Sequence, residues 1–277
     1  MACLHPQPSP GRIEFRLHAH AACMNTASVR LPRLLLLLVS PFGIGLAEAA
    51  ENYEGLAYAR KGGQLLYRES HWIQEKGQRL VLYRCPDGAA FARKSVASGS
   101  VAPDFELVDG RDGYREGVRT RHGMRQVYTK ASAASAERSK RLPAQEGQII
   151  DAGFDAHVRQ HWDAMAPSGS QRVRFVVPSR LESMDFQLIT LASDSNTRRY
   201  RLALDAWYAG ALPSITVTYA ATDRRLMRFE GIGNIRDAAG DFPAVRIEFP
   251  ANKRTASSLA EVADAVSTPL AKGCSNS

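Results

Sequence analysis

The chain has 277 residues, 44% of them hydrophobic, and a formal net charge of +8 at pH 7. The length suits one domain with a sizeable core. Its basic residues alternate along predicted strands, as at Arg172 and Arg174, instead of forming a cluster. This pattern is typical of a solvated sheet face, so the charge does not indicate a nucleic-acid partner.

The N-terminal region has the features of an export signal. Two arginines precede an apolar run that begins at Leu34, and an A-x-A pattern ends at Ala49. These features are typical of a secretory signal peptide, whereas the alternative, a membrane anchor, needs about 20 apolar residues. We expect residues 24–49 to be a cleaved signal peptide and residues 1–23 to be an over-extended N-terminus. The mature protein is then periplasmic or secreted.

The first half of the mature chain predicts a series of hairpins. Short runs of alternating residues are separated by turns such as Lys61-Gly62-Gly63 and Pro86-Asp87-Gly88. Turns that contain glycine between β-branched and aromatic runs are the usual hairpin signal. The predicted strands cover residues 53–60, 64–75, 78–84, 89–96, 104–108, 117–121 and 126–130.

The middle of the chain predicts a loop followed by one helix. Residues 131–148 are rich in Ala, Ser, Lys and Arg, which favours a loop. After them, Phe154, Val158, Trp162 and Met165 recur at spacings of four, four and three, which gives a helix one apolar face. We expect this helix to cover one face of the sheet.

The second half predicts a long antiparallel meander, because its strands follow one another through short connections. The strands cover residues 172–177, 185–192, 198–208, 214–220, 225–235 and 244–249. A meander of this length curls, since strands twist. The predicted fold is therefore mainly β, a curved antiparallel meander forming a half-open β-barrel covered by one central α-helix. It is one domain, residues 50–250, with a polar C-terminal tail, residues 251–277.

This order of elements behind a signal peptide resembles exported half-barrel proteins of the lipoprotein-carrier type. The resemblance covers residues 170–250 and is most specific at residues 177–181, with the sequence VPSRL, and at Tyr219 followed by the stretch from Arg224 to Asp237. The second stretch has the pattern R-x-x-G-x-x-N-x-x-D found in uncharacterised periplasmic families. The resemblance implies a curved sheet around an apolar groove, and it brings no catalytic residues.

Aromatic side chains are spread along the predicted strands. They either fill an ordinary core or line a ligand cavity. A single sheet with one helix leaves a concave face to cover, so we expect an exported, non-enzymatic protein that binds or carries a lipid-like ligand. No cofactor is expected. The candidate ligand-binding residues are Tyr67, Trp72, Trp162, Phe186, Trp207 and Phe229.

Two alternative functions stay open at this stage. His157 and His161 are four residues apart on the predicted helix, the spacing of a metal-binding pair in a metal-dependent hydrolase. A glutamate beside the first histidine is lacking, and the third ligand, His71 or Asp155, is not fixed. Two histidines at the edge of the core are the simpler interpretation. The other alternative is an envelope scaffold that binds a partner protein by a sheet edge.

Two cysteines remain after the predicted cleavage, Cys85 and Cys274. In an oxidising compartment such a pair is a candidate disulfide. The sequence alone does not show that the two Cα atoms lie within bridging distance.

Overall fold

The computed structural model describes residues 50–143, 145–165, 168–205 and 214–275. The expectations for residues 1–49, the over-extended N-terminus and the signal peptide, lie outside the described residues. The described residues form one unit that is mainly β, with a sheet of sixteen strands. None of the described helices is both long and apolar enough to pass through a membrane.

The first half of the chain forms eight strands joined by turns, each antiparallel to the next. Strands β2 to β7 match predicted segments, because alternating side chains let one face of each strand be buried. The strands are β1 (Ala50–Ala59), β2 (Leu65–Ile73), β3 (Arg79–Arg84), β4 (Ala90–Val96), β5 (Phe105–Asp109), β6 (Arg115–Arg121), β7 (Met124–Lys130) and β8 (Arg138–Arg141).

The second half contains a short helix, the long meander and a closing helix. Three-residue 3-10 turns lie at Glu75–Gly77, Pro178–Arg180 and Ala251–Lys253. The elements are β9 (Gln148–Ile149), α1 (Gly153–Gln160), β10 (Ser170–Val177), β11 (Glu182–Leu191), β12 (Thr197–Leu204), β13 (Ile215–Ala220), β14 (Leu226–Ile232), β15 (Ala244–Glu248), β16 (Arg254–Ser257) and α2 (Leu259–Ser267).

The sheet has β1 at its centre. One meander runs from β1 out to β8, and the other runs from β10 back to β15, which pairs with β1 with Ala57 opposite Ile247. The outermost strands are β8 and β9, and β9 is parallel to β10. The result is one large, curved, unclosed antiparallel sheet, which confirms the predicted fold class.

The two free edges approach each other through side chains. The turn Pro178–Arg180 contacts β6 and β7. Buried apolar side chains from both halves of the sheet pack into one group here, which we call the seam cluster. The seam cluster consists of Val96, Phe105, Val118, Val127, Leu142, Ile150, Val176 and Leu181.

The C-terminal residues pack on the outer face of the first meander. Helix α2 begins with a capping box, in which Ser258 and Glu261 bond each other's backbone N–H groups. Its buried Val262 packs in a cluster with Trp72 and Leu82. Cys85 and Cys274 form the predicted disulfide, with Cα atoms 5.5 Å apart and a sequence separation of 189.

Two local predictions need correction. The helix predicted through Met165 ends at Gln160, because Trp162 turns into the core and its carbonyl oxygen accepts a hydrogen bond from Arg198. The predicted loop at residues 131–148 contains β8 and the first residue of β9. All four residues of β8 are exposed, so the strand has no alternation of buried and exposed positions that could signal it.

A candidate ligand cavity inside the curved sheet

The concave face of the sheet holds an open cavity of about 460 Å³. Its volume lies within the range of about 300–1,000 Å³ typical of small-molecule sites. Strands β10 to β15, with the residues just after β15, supply an apolar wall. This wall consists of Phe175, Phe186, Leu202, Ile215, Val217, Leu226, Phe229, Ile247 and Phe249.

The opposite wall, from β2 to β6, carries ionisable side chains. His71, Lys94 and Glu116 all line the cavity. They belong to one cross-strand row, because His71 pairs with Val81, Val81 with Lys94, Lys94 with Leu107, and Leu107 with Glu116. Neighbouring strands are about 4.8 Å apart, so polar groups recur about every 10 Å along this row.

Two ion pairs join this polar wall to residues 150–160, which we call the cap segment. Lys94 Nζ lies 2.7 Å from Asp151 Oδ1, and Arg79 Nη2 lies 3.3 Å from Asp155 Oδ2. All four side chains are at least four-fifths buried. Buried ion pairs of this kind are costly to break, because one partner would stay charged without compensation. They therefore hold the cap segment against the cavity.

Gly153 allows the cap segment to approach the β4–β5 loop. A Cβ atom at this position would lie 1.8 Å from the carbonyl oxygen of Val101, which is far inside van der Waals contact. The N–H of Ile150 donates a hydrogen bond to the same carbonyl, at 3.1 Å. Only glycine fits this position without moving the backbone.

His71 is a buried imidazole on this wall. Burial lowers its pKa, although the hydrogen bond from Nε2 to Glu69 Oε2, at 2.9 Å, opposes that effect. The ring stacks on Tyr53 with centroids 4.5 Å apart. The other ring nitrogen, Nδ1, is buried and has no hydrogen-bond partner among the described residues.

Glu116 is the second buried acidic group of this wall. Its Oε2 accepts a hydrogen bond of 2.7 Å from the Tyr114 hydroxyl. Burial raises the pKa of Glu116 to about 7, against the opposing effects of this hydrogen bond and the charge of Lys94. No ion pair of Glu116 is found in the part of the chain that the structure describes. A carboxyl group with this pKa changes charge near neutral pH.

The R-x-x-G-x-x-N-x-x-D stretch closes one end of the cavity. Asn234 lines the cavity and donates a hydrogen bond to the Tyr83 hydroxyl, at 2.9 Å. Asp237 accepts hydrogen bonds from the N–H groups of Ala239 and Asp241, which shapes the β14–β15 loop. The motif therefore has a structural role here, joining the second meander to the first.

The predicted ligand-binding residues occupy different places. Phe186 and Phe229 line the cavity. Tyr67 is buried in the adjoining core, and Trp162 packs on Tyr200 and Tyr219, with Arg198 over its indole ring. Trp72 packs under α2 on the outer face, away from the cavity. Trp207 lies outside the described residues.

His157 and His161 lie side by side, with ring centroids 4.3 Å apart. Burial lowers the pKa of His157, and the neighbouring His161 adds to this effect. The Nδ1 atom of His161 lies 2.9 Å from the carbonyl oxygen of His157, so this ring nitrogen is engaged by the backbone. Among the described residues, no group of three or more His, Cys, Asp and Glu side chains is placed to hold a metal ion.

The sequence analysis missed the charged residues of the polar wall. Their signal is present in the strand alternation, because Lys94 lies on the same face of β4 as Ala92 and Val96, and both of these residues are buried. Likewise, Glu116 lies on the same face of β6 as the buried Val118. A charged residue at a position on the apolar, buried face of a strand indicates a buried polar site.

No family model matches the sequence, and no curated protein matches it. Among solved structures, the chain is similar to the crystal structure of a β-barrel-like protein of a domain of unknown function, DUF1849, from Brucella abortus. The two chains are 8% identical with a TM-score of 0.45, over 76% of this chain and 98% of the other. The description of that protein names no activity, ligand or partner.

Proposed function

We propose that this protein is exported to the cell envelope, where it binds or carries an amphipathic, lipid-like ligand in the cavity. The observation that carries the proposal is the two-sided lining, an apolar wall from the second meander opposite a polar wall from the first. A cavity of this kind suits a ligand with an apolar chain and a polar end.

Export is supported by the disulfide between Cys85 and Cys274. Disulfides persist in oxidising compartments and are rare in the cytosol. The bond ties the C-terminal residues to the β3–β4 turn, and the Ala271 N–H adds a hydrogen bond to the Ala90 carbonyl. The disulfide thus fastens the C-terminal residues to the first meander.

A scaffold function through the sheet edge is less well supported. The edge strand β8 is exposed and carries Arg138, Lys140 and Arg141 among its four residues. Charged edge strands discourage pairing with another strand. The carrier function is therefore the better explanation of the fold.

Native mass spectrometry of protein purified from the envelope fraction tests the proposal. We expect a co-purifying amphiphile and binding of the neutral fluorescent probe N-phenyl-1-naphthylamine to stripped protein. Leu226→Trp, which fills part of the cavity, should weaken probe binding about tenfold. The control Leu259→Trp, on exposed α2, should not. If no ligand co-purifies and the stripped protein does not bind the probe, the proposed function is overturned.

A further inference from the structure

The ionisable groups that line the cavity have a surplus of negative charge. Four carboxyl groups, those of Glu69, Glu116, Asp151 and Asp155, face two cations, Arg79 and Lys94. Each cation already forms an ion pair with an aspartate of the cap segment. Because charges interact more strongly away from water, a cation placed beside the remaining carboxyl groups would be stabilised.

The same wall has more acceptors than donors. Asp151 Oδ2 and His71 Nδ1 are buried and have no hydrogen-bond partner in the described part of the chain. His71 as a whole is only 7% exposed and lines the cavity. Glu116, equally buried, accepts one hydrogen bond, from Tyr114. Buried polar atoms are rarely left unpaired, so these acceptors indicate a donor that comes with the ligand.

An anionic polar end fits this wall poorly. To pair with Lys94 or Arg79, it would share that cation with Asp151 or Asp155 and lie beside the negative charge of the aspartate. It would also add a further negative charge beside Glu116. A hydroxyl group could donate one hydrogen bond, but it would not offset the charge.

We infer that the ligand's polar end is a cationic hydrogen-bond donor, an aliphatic ammonium group, held by Glu116 and Asp151 while its chain lies on the apolar wall. This inference rests on the proposed function and specifies its ligand class. An ammonium group has three N–H donors and no acceptor. It can therefore donate to both carboxyl groups at once.

Displacement of N-phenyl-1-naphthylamine by dodecylamine, dodecanol and dodecanoate tests the inference. The three compounds share one chain length and differ only in the polar end, and each is used below its micelle concentration. We expect dodecylamine to displace the probe at about tenfold lower concentration than dodecanol, since hydrogen bonds to charged groups contribute about that much. Dodecanoate should be the weakest of the three.

The Glu116→Gln variant tests whether Glu116 causes the preference for dodecylamine. It should weaken dodecylamine binding about tenfold and leave dodecanol binding unchanged. The matched control is Glu106→Gln, because Glu106 lies on the neighbouring strand β5 but is exposed and bonds Tyr128 on the outer face. This control should bind all three compounds as the unmodified protein does. Thermal unfolding confirms that both variants are folded.

The pH dependence of the unmodified protein gives a test that needs no variant. Glu116, with a pKa of about 7, gains charge between about pH 6 and about pH 8, while the amine stays cationic. The charged groups that face Glu116 are Lys94 on β4, Asp151 on the cap segment and Arg236 in the β14–β15 loop. We expect the preference for dodecylamine over dodecanol to rise several-fold with pH.

The outcomes separate this inference from the proposed function. Equal displacement by all three compounds, or a preference for dodecanoate, overturns the cationic ligand and leaves the carrier function standing. Failure of the probe and of all three compounds to bind overturns both. An amine preference that survives Glu116→Gln and does not change with pH overturns the assigned site.

Discussion

At the scale of single residues, Glu116 makes stability depend on pH. Its pKa rises from 4.5 to about 7 because the carboxyl group is buried. The folded protein therefore binds a proton more tightly than the unfolded chain does. Stability from this group is fully present below about pH 4.5 and is lost as the pH rises through about 7. The shift corresponds to about 3 kcal/mol.

We expect Glu116→Gln to remove the loss of stability that accompanies the rise in pH. The free energy of unfolding of the unmodified protein should fall, relative to that of the variant, by about 3 kcal/mol between about pH 4.5 and about pH 8. His71 acts in the opposite direction, because its lowered pKa removes stability as the pH falls. The difference between the two proteins cancels that contribution. Urea unfolding at several pH values measures the difference in free energy of unfolding, with Glu106→Gln as control. If the unmodified protein and Glu116→Gln have parallel pH profiles, Glu116 is not the source of the pH dependence.

At the scale of elements, the cap segment depends on a close backbone contact. We expect Gly153→Ala to lower the free energy of unfolding by about 3 kcal/mol, because its Cβ atom would displace the Val101 carbonyl or the segment itself. The control is Gly273→Ala, at a position where a Cβ atom meets nothing within 4 Å. Chemical denaturation of both variants checks this, and equal effects of the two substitutions would show that the contact can relax.

The individual strands were largely predictable, because each is specified by local alternation and by the turns beside it. The pairing of β1 with β15 was not, since it joins residues about 190 positions apart and leaves no local signal. Alternation also could not tell which face is concave. Trp72 and His71 alternate on β2, yet only His71 faces the cavity, because α2 gives Trp72 a second apolar environment.

At the scale of the whole sheet, closure rests on side chains at the free edges. In the described residues the outermost strands β8 and β9 pair with β7 and β10 and not with each other. The seam cluster joins the two halves instead, and Leu181, at the end of the Pro178–Arg180 turn, is 8% exposed within it. The main-chain hydrogen bonds of the sheet centre do not depend on this contact.

We therefore expect Leu181→Ala to open the seam without unfolding the centre. Removing a buried leucine side chain costs about 3 kcal/mol, and the loss falls on β6, β7 and the β10–β11 turn, which meet there. Amide hydrogen exchange should become faster in these elements, while β1 and β15 keep their protection. Leu259→Ala, at an exposed position of α2, is the matched control. Equal acceleration across the whole sheet would mean that the edges and the centre unfold as one cooperative unit, in which case the seam is not a separate closure.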